Sequence, residues 1–117
     1  MVQDQVLPED ALAARYVDQI ERLRDPSHHR AHSRTEWMNM FQNAGLIIEA
    51  VEEVLKKHIL NLWAKRQGCS LETIERLEDL IKDAPPIAAD WLDAHLNESE
   101  EFTFVNHHIL ISGRKAG

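Results

Sequence analysis

The sequence predicts an α/β protein in which three β-strands alternate with about five α-helices. Three stretches carry strand patterns: the alternating "VQDQVLP" that Pro8 ends, the branched run "LIIEAVEEV", and the long apolar "EFTFVNHHILISGRK". Between these stretches, apolar residues recur at the three- and four-residue spacing of one helix face. The predicted order is therefore strand, helix, loop, helix, strand, three helices and strand.

The pattern predicts one domain over residues 1–117. Its elements are a strand at 1–8, a helix at 10–24, a loop at 25–33, a helix at 34–44, a strand at 46–54, a helical insertion at 57–95 and a strand at 101–114. Leu12, Tyr16, Ile20 and Leu23 supply the apolar face that predicts the first helix.

Local start and stop signals support the other helices. Ser33 stands three residues before Glu36, the spacing at which each side chain accepts a hydrogen bond from the other residue's backbone N–H at a helix start. Gly45 can adopt the left-handed conformation that ends this helix. Within the insertion, one helix is predicted from the apolar stripe formed by Leu71, Ile74, Leu77, Leu80 and Ile81.

Composition and charge exclude several classes of function. The chain has 117 residues, 44% of them hydrophobic, and a formal net charge of −7, which is typical of one soluble globular domain. Scattered basic residues and a net negative charge predict neither a nucleic-acid partner nor a membrane surface. The single cysteine, Cys69, excludes an internal disulfide and favours a reducing cytoplasm.

The stretch "LRDPSHHRAHSRTEW" contains three of the seven histidines. His28, His29 and His32 do not follow a metal-ligand spacing, and His107 and His108 would point to opposite faces of a strand. No metal site is therefore predicted.

Six segments in order resemble one enzyme family. The segments "QVLPED", "LRDPSHHRAHSRTEW", "AGLIIE", "WAKRQG", "DAPP" and "FTFVNHHILISGRK" resemble the C-terminal portion of class I S-adenosylmethionine-dependent methyltransferases. The resemblance is to the ubiquinone/menaquinone-biosynthesis type (UbiE-like, methyltransferase type 11). The resemblance covers nearly the whole chain, which would correspond to about the last third of such an enzyme. Met1 would then be either an added residue or a start inside a longer reading frame.

The resemblance implies a partial Rossmann-like fold with a three-stranded mixed sheet. The strand order would be first, third, second, with the last strand antiparallel. The edge of the first strand would then be bare, because the family's preceding strand is missing. This edge predicts a homo-oligomer, as a two-fold dimer through the first strand, or a separate N-terminal half that pairs with it.

The family holds S-adenosylmethionine on a glycine-rich turn in its N-terminal half. This chain has four glycines, at 45, 68, 113 and 117, and no two are close enough to form such a turn. We therefore expect no cofactor-binding residue and no cofactor bound by this chain alone, although S-adenosylmethionine is implied for the intact family. Whether the chain is itself an enzyme stays open.

Site residues follow from the resemblance. His28 in "DPSH" is the candidate base, since it would lie above the cofactor pocket beside the carboxyl end of the first strand. The structural alternative is that Asp25 and Ser27 only make a turn, which His28 fixes by a hydrogen bond to the backbone. Candidate substrate-binding residues are Asp4 and Gln5, which we expect at that same strand end, together with Arg30 and Trp63. Trp63 would be a pocket residue for an apolar acceptor or, alternatively, a core residue.

Two functions from different classes remain at this point. The first is the substrate-side fragment of a methyltransferase that acts on a small apolar acceptor, without activity alone. The second is a standalone dimeric module that binds a small molecule or helps assembly without catalysis.

Overall fold

A computed structural model describes residues 1–116 of the chain. Its strands are β1 (Val2–Leu7), β2 (His32–Ser33), β3 (Leu46–Ile59), β4 (His95–Leu96) and β5 (Phe102–Lys115). Its helices are α1 (Ala11–Arg24), α2 (Arg34–Asn43), α3 (Leu60–Arg66), α4 (Leu71–Lys82) and α5 (Pro86–Leu92). None of the helices within residues 1–116 is long and apolar enough to cross a membrane.

The sheet has the predicted order of its three long strands. The full order is β2-β1-β5-β3, and β5 is antiparallel to both β1 and β3. β2 pairs in parallel with the end of β1, and β4 pairs with the start of β5. The sequence did not predict these two short strands, because two residues are too few to show a period-two pattern.

The predicted strand at 46–54 was too short, and the helical insertion begins at Leu60 rather than at 57. β3 pairs with β5 in an unbroken register from Ala50 to Ile59. Lys56, Lys57 and His58 interrupt the apolar pattern, which suggested an earlier end. An edge strand tolerates such charges because solvent reaches one of its sides.

Two apolar clusters cover the two faces of the sheet. Val6 and Leu7 are consecutive in β1 and therefore point to opposite faces. Leu7 belongs to the larger cluster, which joins α1, α3, α4, α5 and Phe104 of β5. Val6 belongs to the smaller cluster, in which Phe41 of α2 covers β5.

The buried face of α1 differs from the predicted stripe. Its buried residues are Ala13, Val17, Ile20 and Glu21, whereas Leu12 is 52% exposed. The helix packs against α5 and α4, and the small Ala13 side chain is completely buried. The apolar spacing alone did not identify this rotation, because alanine gives a weak hydrophobic signal.

The start of α2 confirms the predicted capping box. The Glu36 backbone N–H donates to Ser33 Oγ over 3.2 Å, and the Ser33 N–H donates to Glu36 Oε1 over 3.1 Å. These bonds fix the end of the 25–33 loop, which carries the candidate base.

Candidate functional site

A polar cluster lies between β1, α1 and the 25–33 loop. It consists of Gln5, Asp18, Glu21 and His28. Gln5 Nε2 donates a hydrogen bond of 2.8 Å to Glu21 Oε1, which connects the strand to the helix. Glu21 is only 6% exposed, although α1 is otherwise an amphipathic helix. A carboxyl group buried in this way is uncommon unless it is paired or functional.

Burial raises the pKa of the Glu21 carboxyl above its ordinary value. The hydrogen bond from Gln5 and the nearby His28 and Arg24 act in the opposite direction, but burial dominates. Glu21 therefore retains a proton to a higher pH than a solvated glutamate does.

His28 and Asp18 face each other at the buried side of the cluster. His28 Nε2 lies 3.4 Å from Asp18 Oδ1, and the two side chains are 18% and 15% exposed. Both atoms are buried and have no hydrogen-bond partner. Nε2 is therefore the buried nitrogen of the His28 ring, and it faces the Asp18 carboxylate.

The turn predicted as the structural alternative is present, and it orients His28. Asp25 Oδ1 accepts hydrogen bonds from the Ser27 N–H at 3.0 Å and from Ser27 Oγ at 2.6 Å. The His28 N–H donates to the Asp25 carbonyl over 2.9 Å. The backbone of His28 completes the turn while its side chain points to Asp18, so the turn and a chemical role for the ring are compatible.

Arg30 forms an ion pair with Glu36. Its guanidinium donates to both Glu36 carboxylate oxygens over 3.0 Å each. This contact, together with the Ser33 N–H, lowers the pKa of Glu36 to about 2. Arg30 thus connects the loop to α2, and it also borders an open cleft beside Asp18 and Leu7.

Asp4 and Trp63 lie outside the polar cluster. The expectation that Asp4 and Gln5 sit at the carboxyl end of β1 was wrong, because the strand continues to Leu7. Asp4 is exposed in mid-strand, opposite Ile109 of β5. Trp63 is 3% exposed and packs in the larger apolar cluster.

Comparison with known proteins identifies the fold that carries this cluster. No family model matches the chain. It is 30% identical over 113 residues to the uncharacterized methyltransferase YcgJ of Bacillus subtilis (strain 168), covering 96% of this chain and 45% of YcgJ.

Two solved structures superpose on nearly the whole chain. One is BH2331 from Bacillus halodurans C-125, described as a methyltransferase, with a TM-score of 0.89, 27% identity, and coverage of 98% of this chain and 54% of that one. The other is YcgJ from Bacillus subtilis, with a TM-score of 0.88, 29% identity, and coverage of 98% and 50%. The chain has the fold of the C-terminal part of class I methyltransferases. It spans about half the length of these relatives, which is more than the last third that the sequence suggested.

Two residues of this polar cluster were not predicted from the sequence. Asp18 and Glu21 are three residues apart on α1, which places both carboxyl groups on one face of the helix. Glu21 directly follows Ile20 at the buried face, and a charged residue beside a predicted core position is the signal that was available.

Within residues 1–116, no group of three or more histidine, cysteine or carboxylate side chains is arranged to hold a metal ion. His107 stacks on the Trp91 ring at 3.7 Å, and its Nε2 lies 2.7 Å from the Trp91 carbonyl oxygen. These contacts give His107 a packing role.

The raised pKa of Glu21 predicts that the free energy of unfolding depends on pH. The folded protein binds this proton more tightly than the unfolded chain, whose carboxyl has the ordinary value of 4.5. The associated stability is complete below that value and is lost as the pH rises through the folded pKa. We expect Glu21→Gln to raise the free energy of unfolding by about 1 kcal/mol at pH 7 and by little near pH 4.

Urea denaturation at the two pH values measures this effect. Glu75→Gln, at an exposed position of α4, serves as the control and should change stability little at either pH. An equal gain from Glu21→Gln at both pH values would show that burial of the charge is not its cause.

Proposed function

We propose that this chain supplies the acceptor side of an S-adenosylmethionine-dependent methyltransferase that acts in the cytoplasm, with His28 as the general base. The observation that carries the proposal is that 98% of the chain superposes on about half of each of two methyltransferase-fold structures. The resemblance of "DPSH" and its neighbouring segments favours the ubiquinone/menaquinone-biosynthesis type.

Residues 1–116 do not fit the methyl donor. Gly45 and Gly68 have positive φ angles and end helices, and Gly113 lies within β5, where Phe41 packs against it. Such isolated glycines do not form the continuous cradle that a nucleotide-like cofactor requires. The donor is therefore held by another part of the protein, and this chain alone is inactive.

The role of the polar cluster is to remove a proton from the acceptor. Transfer of a methyl group needs an aligned nucleophile and a base when that nucleophile carries a proton. His28 Nε2 faces Asp18, so we assign the hydrogen to Nε2 and the basic lone pair to Nδ1. Asp18 then holds the Nε2 side of the ring, while the turn made by Asp25 and Ser27 keeps the ring in place.

The outer edge of β1 is where we place the cofactor-binding half. β2 pairs only with Val6 and Leu7, so residues 2–5 have no strand on that side within residues 1–116. The predicted two-fold dimer through this edge would occupy the same backbone groups. The coverage of only about half of each relative supports the cofactor-binding half as the occupant.

A second candidate function is favoured by one cavity. A cleft of about 480 Å³ lies between α1 and α4, where Leu23 and Leu80 form its apolar wall and charged residues form its rim. A small apolar ligand fits such a site without catalysis. A standalone binding module would therefore use this cleft rather than the His28 cluster.

Photochemical labelling of the native protein distinguishes the two functions. The polypeptide that contains this chain would be recovered from its source and irradiated with S-adenosylmethionine that carries tritium in its methyl group. The methyltransferase proposal predicts covalent labelling that excess unlabelled S-adenosylhomocysteine prevents. If the native protein takes up no label that S-adenosylhomocysteine can prevent, the result would support the binding module instead.

A further inference from the structure

We propose that the outer edge of β3 pairs antiparallel with β3 of a second copy, which joins two sheets across a two-fold axis. The interface runs through residues 51–59, with Leu55 at the axis. It lies at the opposite edge of the sheet from β1, so it neither requires nor obstructs the cofactor-binding half.

The first observation is a long regular edge without a partner. β3 has 14 residues, and within residues 1–116 its only neighbouring strand is β5. An irregularity between Ile48 and Ala50 interrupts the ladder near its start, but the following ten residues are paired without interruption. Long, regular edges present unpaired N–H and C=O groups, and natural proteins usually cover them or pair them.

The second observation is a reversal of charge along the strand. The first half carries Glu49, Glu52 and Glu53, and the second half carries Lys56 and Lys57. The sign changes between Val54 and Leu55. A strand with this pattern is complementary to itself when the two copies run antiparallel, because the acidic half of each faces the basic half of the other.

Register can be derived from the alternation of side chains. In a continuous sheet, directly opposed residues must point to the same face, so the axis must pass through a residue. With Leu55 at the axis, Glu53 faces the partner's Lys57 and Val51 faces the partner's Ile59. On the other face, Glu52 meets the partner's His58 and Val54 meets the partner's Lys56. The Glu53–Lys57 pairs are oppositely charged, and the Val51–Ile59 pairs are apolar on both sides.

The neighbouring register is less favourable. With Val54 at the axis, Glu52 would face the partner's Lys56. However, Glu53 would then face the partner's Leu55 and Val51 would face the partner's Lys57, so more charged groups would lie against apolar ones than in the Leu55 register. The Leu55 register also covers a side chain that is 61% exposed in the single chain. Apolar exposure of this size at the centre of an edge strand is explained by contact between the two Leu55 side chains.

One intramolecular contact is compatible with this pairing. Arg34 Nη1 donates to Glu53 Oε2 over 3.2 Å. The second carboxylate oxygen of Glu53 has no hydrogen-bond partner among the described residues and remains available to the partner's Lys57. Lysines alone would protect an edge from pairing, but here each is matched by a glutamate in the same strand.

Sedimentation equilibrium with charge-swapped variants tests the proposal. We expect the wild-type chain to be a dimer at about 100 µM, and Lys57→Glu to weaken dimerisation about tenfold, because two cross-strand pairs become repulsive. The double variant Glu53→Lys/Lys57→Glu should recover most of the affinity, since it restores opposite charges across the interface. Leu55→Arg should give monomers, whereas Leu71→Arg, at a 75% exposed position of α4, should leave the dimer unchanged.

Circular dichroism of each variant establishes that it is folded before its mass is interpreted. A folded wild-type chain that is monomeric at this concentration would overturn the proposal. So would a dimer that withstands both Leu55→Arg and Lys57→Glu, because that dimer would use another surface, such as the β1 edge. Failure of the double variant to improve on Lys57→Glu would overturn the assigned register.

Discussion

Replacing Trp63 with alanine is expected to lower the free energy of unfolding by about 3–5 kcal/mol. The Trp63 side chain is 3% exposed and meets Phe104 in an edge-to-face contact with 4.8 Å between ring centroids. The Arg24 guanidinium lies over the Trp63 ring, 4.1 Å from the ring centroid. Truncation would therefore leave a cavity in the larger cluster and remove a cation–π contact.

This prediction separates the two roles that the sequence allowed for Trp63. Urea denaturation measures the loss, and Leu62→Ala, at the adjacent 45% exposed position, should cost less than about 1 kcal/mol. If Trp63→Ala were as stable as the wild type, the side chain would not be a core residue and its assignment as a substrate contact would be restored.

His28→Ala is expected to reduce the rate of methyl transfer by about 100-fold in the complete methyltransferase, which includes the cofactor-binding part. The reason is the loss of the base, since the ring is oriented by the Asp25 turn and faces Asp18 at 3.4 Å. Single-turnover kinetics with tritiated S-adenosylmethionine would measure the chemical step directly.

Two further variants make this test specific. His29→Ala changes the adjacent exposed histidine and should leave the rate unchanged. Asp18→Asn retains the shape of the side chain but removes the carboxylate that faces His28 Nε2, so it should lower the rate by a smaller factor. A loss of less than about tenfold for His28→Ala would remove the catalytic assignment.

Much of the fold was accessible from the sequence because local signals agreed with the tertiary structure. The spacing of Ser33 and Glu36 predicted a helix start that the capping box confirms. The order of the long strands followed from the family resemblance, since no periodicity specifies which strands are neighbours. The extension of β3 to Ile59 was missed because its charges are tolerated only at an edge, which is a property of the assembled sheet.

The candidate site was predicted in part. His28 was selected from a sequence motif. Its contact with Asp18, which lies ten residues earlier on α1, depends on how the loop folds back over that helix. The burial of Glu21 likewise depends on the rotation of α1, which the exposed Leu12 obscured. Arg30 and Trp63 were selected by type and position, and the structure gives the first an ion pair with Glu36 and the second a place in the core.

Calorimetric titration with S-adenosylmethionine tests the central claim most directly. Residues 1–117 would be titrated alone and as a fusion to the part of YcgJ that this chain does not match. We expect no heat of binding for the chain alone and binding with a dissociation constant of about 1–100 µM for the fusion. Saturable binding of S-adenosylmethionine by the isolated chain would contradict the assignment of these residues to the acceptor side.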